Sequence, residues 1–204
     1  MTISQLAKIA PTRLKDVLSK IIQAGTRKDK LKMDREFFKG ISIIGREAYA
    51  ILCAERYLEN MYPDKNWKPI TNVMWEVVSC TARDKWAYSF CDIIPEYLFE
   101  ADSYELSSFD NMTKSQYDTY TSLLKDTDEN VNVIFMALYD IIMDYAYTSI
   151  SGYGEDTLED LEVVCGCLEE KGIALPDKTL VAFSSFSECN GWGHPFEKSK
   201  VKPI

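Results

Sequence analysis

Apolar residues recur along most of the chain at three- and four-residue intervals, the spacing of one face of an α-helix. The pattern is fullest over Glu129–Ser151, where Val131, Val133, Ile134, Phe135, Met136, Leu138, Ile141, Ile142 and Tyr145 leave few polar positions. At 100° per residue, Asp140, Asp144, Thr148 and Ser151 share an arc of roughly 80°. The stretch therefore predicts a helix sheathed by its neighbours and open to water along one narrow acidic strip. Asp126, three residues before Glu129, is placed to cap its first turn.

The same spacing predicts the other elements. Leu14, Val17, Leu18, Ile21 and Ile22 form a stripe that Gly25 terminates, and the basic connector Arg27–Lys32 follows. Asp34 is placed to cap a long helix to about Tyr62, with Phe38, Ile41, Ile44, Ala48 and Ile51 inward. Pro69 opens a helix striped by Ile70, Val73, Met74, Val77 and Val78. Thr81 and Asp84 read as a capping box for a helix through Trp86 and Phe90 that Pro95 ends or kinks. Periodicity fails from Glu96 to Asn111. It returns over Thr113–Leu124 and again over Thr157–Lys171, where Leu158, Leu161, Val164, Cys165 and Leu168 point inward and Gly172 stops the helix. On this reading Glu159, Asp160, Glu162, Glu169 and Glu170 form the outer face of that last helix. Pro176–Phe186 fits either a short strand or a helix. The segment from Glu188 onward has too many glycines and prolines for regular structure. The expected fold is all-α: a single domain, residues 1–204, of about eight helices around the central apolar helix 129–151, with an irregular tail at 188–204.

Charge changes the picture more than composition does. The chain of 204 residues has a net charge of −9, but residues 86–170 hold only Lys114 and Lys125 against 19 carboxylates. A segment this acidic repels nucleic acid, whose binding depends on neutralising phosphates, and it accelerates encounter with a basic partner. No apolar run reaches the roughly 18 residues of a membrane span. The first residues lack a signal peptide's continuous apolar core, so the expected compartment is the cytoplasm.

Candidate chemistry is sparse. Of Cys53, Cys80, Cys91, Cys165, Cys167 and Cys189, the close pair Cys165 and Cys167 lies two apart on a helix, with sulfurs about 200° apart. That pair cannot chelate one ion, and reduced thiols are expected. His194, the only histidine, sits in the glycine-containing loop Gly191-Trp192-Gly193-His194-Pro195 near the C-terminus and reads as a surface residue. Neither a nucleophile elbow nor a phosphate-cradling or dinucleotide glycine motif is present. Asp140 with Asp144 and Glu159 with Glu162 have the three- and four-residue spacing of helical carboxylates that hold magnesium in pyrophosphate chemistry, a spacing any acidic solvent face also produces. Trp192 in the tail, with Phe196 four residues later, either staples the tail to the bundle or stands exposed as an interface anchor.

Ala50–Arg56 followed by Tyr62-Pro63, then Val73-Met74-Trp75-Glu76-Val77-Val78, then Ile93-Ile94-Pro95-Glu96, resemble a group of all-helical bacterial proteins carrying a Glu-Arg pair, a Trp-Glu pair and an Ile-Pro in this order. Some members resemble immunity proteins encoded beside polymorphic secreted toxins. The resemblance covers residues 48–97. It implies a non-enzymatic inhibitor with no cofactor and no catalytic residue, whose partner is a cognate toxin domain. Glu55, Arg56, Trp75 and Glu76 would then be internal architecture, for instance a buried Glu–Arg pair beside a tryptophan. The acidic segment suits a basic toxin such as a nuclease domain, steered by Asp140, Asp144, Glu155, Asp156, Glu159, Asp160 and Glu162. The alternatives are a magnesium-dependent hydrolase of nucleotide-like substrates using the same carboxylates, and a helical scaffold.

Overall fold

The computed structural model describes residues 33–107 and 109–201. The helix expected over Leu14–Ile22, and the basic connector after it, lie outside the described residues. Eight α-helices follow one another among the described residues: α1 (Arg35–Lys39), α2 (Ile43–Met61), α3 (Lys68–Ser79), α4 (Arg83–Cys91), α5 (Pro95–Leu98), α6 (Lys114–Leu124), α7 (Glu129–Met143) and α8 (Glu155–Glu170). Four single 3₁₀ turns complete the regular structure, at Tyr104–Leu106, Lys178–Val181, Cys189–Gly191 and Lys198–Lys200. These helices pack together as one all-α bundle.

Two helices share its centre. In α2 every residue from Ile43 to Leu58 except Arg56 is buried, because α3, α7, α8 and the Lys178–Val181 turn all pack against it. In α7, Val131 and the run from Val133 to Leu138 are buried, as are Asp140, Ile141 and Ile142, beneath α8, α2, α4 and α5. An aromatic stack joins α4 to α7: Trp86 stacks on Phe90, and Phe90 on Phe135 with centroids 5.8 Å apart. Arg46 of α2 is buried too. Its guanidinium donates to the Phe38 and Gly154 carbonyls (3.0 Å each) and to Thr157 Oγ1 (2.8 Å), so a charge inside the core is spent joining α1, α2 and the start of α8.

Four local expectations are corrected. The long helix from Asp34 is two: Asp34 caps only α1, and Ser42 caps α2 by accepting from the Gly45 amide at 3.1 Å. Between them Ile41 pairs with Ser185 in an isolated antiparallel bridge, so a tertiary contact takes the backbone groups a continuous helix needs. The Thr81 and Asp84 box does not form; Ala82 is the N-cap of α4 and no side chain caps it. Asp128 rather than Asp126 precedes α7, and Asp126 has a left-handed φ of 64°. Finally, the central helix stops at Met143, and the chain then turns through to Gly152 and Gly154, both at positive φ.

Of the Glu-Arg and Trp-Glu pairs only Glu55 and Trp75 lie in the interior, and the cation that meets Glu55 is not Arg56. Buried Glu55 accepts from Trp75 Nε1 at 2.8 Å and from Lys198 Nζ at 3.1 Å. Arg56 turns to the Ala174 carbonyl, and Glu76 is exposed. The tail is thus bound by the resembling segment. Phe196 N donates to the Val78 carbonyl and Ile44 N to the Trp192 carbonyl, and Val201 is buried.

Candidate functional site

The seven carboxylates expected to steer a partner do not form one open strip. Asp140 and Asp160 are only 4% and 1% exposed, because α8 lies along α7 and covers the face the periodicity assigned to water. Neither can meet a partner in this state. Asp144 and Asp156 are half-buried; Glu155 and Glu159 are exposed. Arg35 clamps two of the set, reaching Glu155 at 2.8 Å and Glu162 at 3.0 Å. Tyr145 donates to Asp156 at 3.2 Å. Glu155 and Glu159 are the exposed members of the set, and Glu159 is the one outside the Arg35 clamp.

Burial dominates the chemistry of the covered acids. It pushes the Asp140 carboxyl up to about 8, with the neighbouring Asp144 charge adding to it, and lifts Asp144 to about 6. Asp160 is driven upward for the same reason. Asp144 and Asp160 are near neighbours across the α7–α8 pair, and the charge of Asp144 adds to the upward push on Asp160. Among the described residues no group of three or more His, Cys, Asp or Glu side chains is arranged to hold a metal ion. The magnesium spacing read from Asp140, Asp144, Glu159 and Glu162 therefore does not assemble: Asp140 is sealed in and Glu162 is held by Arg35.

The surface that does gather functional side chains lies where α4 begins, α7 ends and the tail crosses. A cleft of about 310 Å³ is lined by Thr81, Arg83, Asp84, Ala146, Tyr147 and Trp192. Each wall follows from a local break. The uncapped start of α4 leaves Arg83 and Asp84 at the rim, the end of α7 throws Tyr147 outward, and the glycines at 191 and 193 turn Trp192 back onto the bundle. The Arg83 guanidinium sits 5.0 Å from the Trp192 ring centroid, a cation–π stack, while its Nε has no hydrogen-bond partner among the described residues. Burial lowers its affinity for its proton. Tyr147 on the cleft wall and Tyr88 are 69% and 54% exposed. The Tyr88 phenol in hydrogen-bond range holds the Tyr147 hydroxyl above its ordinary value.

Two residues assigned no partner from sequence meet at the same place. Cys189 Sγ lies 3.4 Å from His194 Nδ1, and both side chains are exposed. The spacing of five residues closes because Cys189, Asn190, Gly191 and Gly193 all take positive φ, and the loop hydrogen-bonds to itself from Gly191 N and Gly193 N to the Glu188 carbonyl. The two glycines flanking Trp192 were the available signal. The other cysteines are free as well, with Cys53, Cys165 and Cys167 buried.

The chain matches no protein-family model, no curated protein and no solved structure. Among the described residues no helix is long and apolar enough to cross a membrane.

Proposed function

We propose that the protein is an immunity protein, a cytoplasmic, non-enzymatic inhibitor that docks on a basic toxin domain and blocks it. One observation carries the reading: a cluster of exposed tyrosines, Tyr88 and Tyr147, beside Asp84 and the Arg83–Trp192 stack. Tyr, Trp and Arg are the residue types that supply most of the binding energy at protein interfaces. Their exposure here serves no packing purpose. The surroundings support a cationic partner, since residues 33–201 carry 30 carboxylates against 14 lysines and arginines. In this reading the tyrosines and Trp192 anchor the complex, while Asp84, Glu155, Asp156 and Glu159 steer its approach. The resemblance over residues 48–97 supplies the partner class.

The test uses a toxin domain encoded beside this chain's gene. Tyr147→Ala should weaken the complex at least about tenfold, mostly through faster dissociation. Glu155→Lys with Glu159→Lys should slow association at low salt and flatten its ionic-strength dependence. If the wild-type protein leaves such a toxin fully active and unbound, the reading fails.

A further inference from the structure

We propose that Cys189 and His194 form a thiol-modification site that takes a small zwitterionic disulfide seated against Arg83 and Trp192. The inference does not depend on the inhibitor reading. Cys189 is the exposed member of the free cysteines, and it is paired with the histidine at 3.4 Å in a loop that positive-φ residues hold in place. A thiol and an imidazole at this separation are a nucleophile and its base. Between the two residues the loop is closed by Trp192 N donating to the Cys189 carbonyl at 3.2 Å and tied to α2 by Ile44 N donating to the Trp192 carbonyl at 3.1 Å.

The adjoining cleft defines what would react. Trp192, which stands between Cys189 and His194 in the same loop, lines the cleft with the Arg83 guanidinium stacked on it, and Arg83 retains an unpartnered Nε. A carboxylate is its natural partner. Asp84 lines the same cleft and suits an ammonium group. Trp192 offers a flat apolar wall. A cleft of about 310 Å³ admits a peptide-sized thiol compound and excludes a folded protein. Low-molecular-weight disulfides built from amino acids, which carry both carboxylate and ammonium groups, fit this set.

The step balances without another reagent. His194 Nδ1 takes the Cys189 proton as Sγ attacks one sulfur of the disulfide. The new S–S bond forms, the old one breaks, and the departing thiolate takes the proton from His194. Cys189 is oxidised to a mixed disulfide, and half of the reagent is reduced to a free thiol.

Glutathione disulfide is the probe, on the whole chain at pH 7, read by intact mass and peptide mapping. The expected result is one glutathionyl group, on Cys189. His194→Gln, at an exposed position, should slow its addition about tenfold while leaving thermal unfolding unchanged. Arg83→Gln should slow glutathione disulfide several-fold but leave the uncharged hydroxyethyl disulfide unaffected. In urea all these differences should vanish. The proposal is overturned if Cys189 reacts no faster folded than unfolded, if His194→Gln leaves the rate unchanged, or if the group lands chiefly on Cys80 or Cys91.

Discussion

Gly193 shows how much a single position can fix. Its φ is +79°, and a Cβ there would stand 2.6 Å from Ser42 Cβ and closer still to Ser42 Oγ. That hydroxyl is already committed, accepting from Gly45 N as the cap of α2 and bonding Ser184 Oγ at 2.6 Å. Gly193→Ala therefore combines left-handed strain, overpacking and a displaced cap. We expect a loss of about 3 kcal/mol, a fall of roughly 8 °C in melting temperature. Gly172 is the control. Its φ of +69° is equally left-handed, but nothing lies within 4 Å of the added atom, so Gly172→Ala should cost only about 1 kcal/mol. Equal losses at the two sites would show that the Ser42 contact is unimportant. Glycine as a stop at 172 was legible, because it follows a periodic stripe directly. The role of Gly193 was not, since Ser42 lies far away in sequence.

At the scale of elements, the α7–α8 pair makes the acids a liability rather than a contact surface. Asp140 is held up to about 8 and Asp144 to about 6, and Asp160 and the fully buried Glu47 are raised as well. In the unfolded chain all of these would lose their protons near pH 4. Between pH 4 and about 8 the folded protein thus holds protons that the unfolded one releases. Stability from these groups is greatest below pH 4 and is lost as pH rises to about 8. Melting temperature should fall from pH 5 to pH 8, and Asp140→Asn should flatten that slope and add about 1–3 kcal/mol at pH 8. Stability that climbs over this range, unaffected by the substitution, would contradict the burial argument. Helix spacing located α3, α6, α7 and α8 because each keeps its apolar stripe to itself. It misassigned Asp140 and Asp160 because a carboxylate on a helical wheel reads as solvent-facing, whereas α8 decides which strip water reaches. The break between α1 and α2 escaped for a related reason: its cause, the Ile41–Ser185 bridge, joins distant segments.

Across the whole molecule, the tail closes the bundle rather than trailing from it. It lays Trp192 on Arg83, sends Phe196 N to the Val78 carbonyl at 2.8 Å, and brings Lys198 onto buried Glu55 and to 5.0 Å from the Trp75 centroid. Phe196 meets Phe183 edge-on at 4.9 Å, and Lys200 covers the Phe183 ring. The tail therefore binds α2, α3 and α4 at once, and the resembling segment and the candidate cleft share one support. Phe196→Ala removes a buried ring at the middle of this crossing and should cost about 3 kcal/mol. If the tail is part of the cooperative unit, helical signal and tail protection from protease will be lost in one transition at a lower temperature. A tail that becomes cleavable while the helices melt at the wild-type temperature would instead make it a detachable strap, and would separate the cleft's integrity from that of the fold.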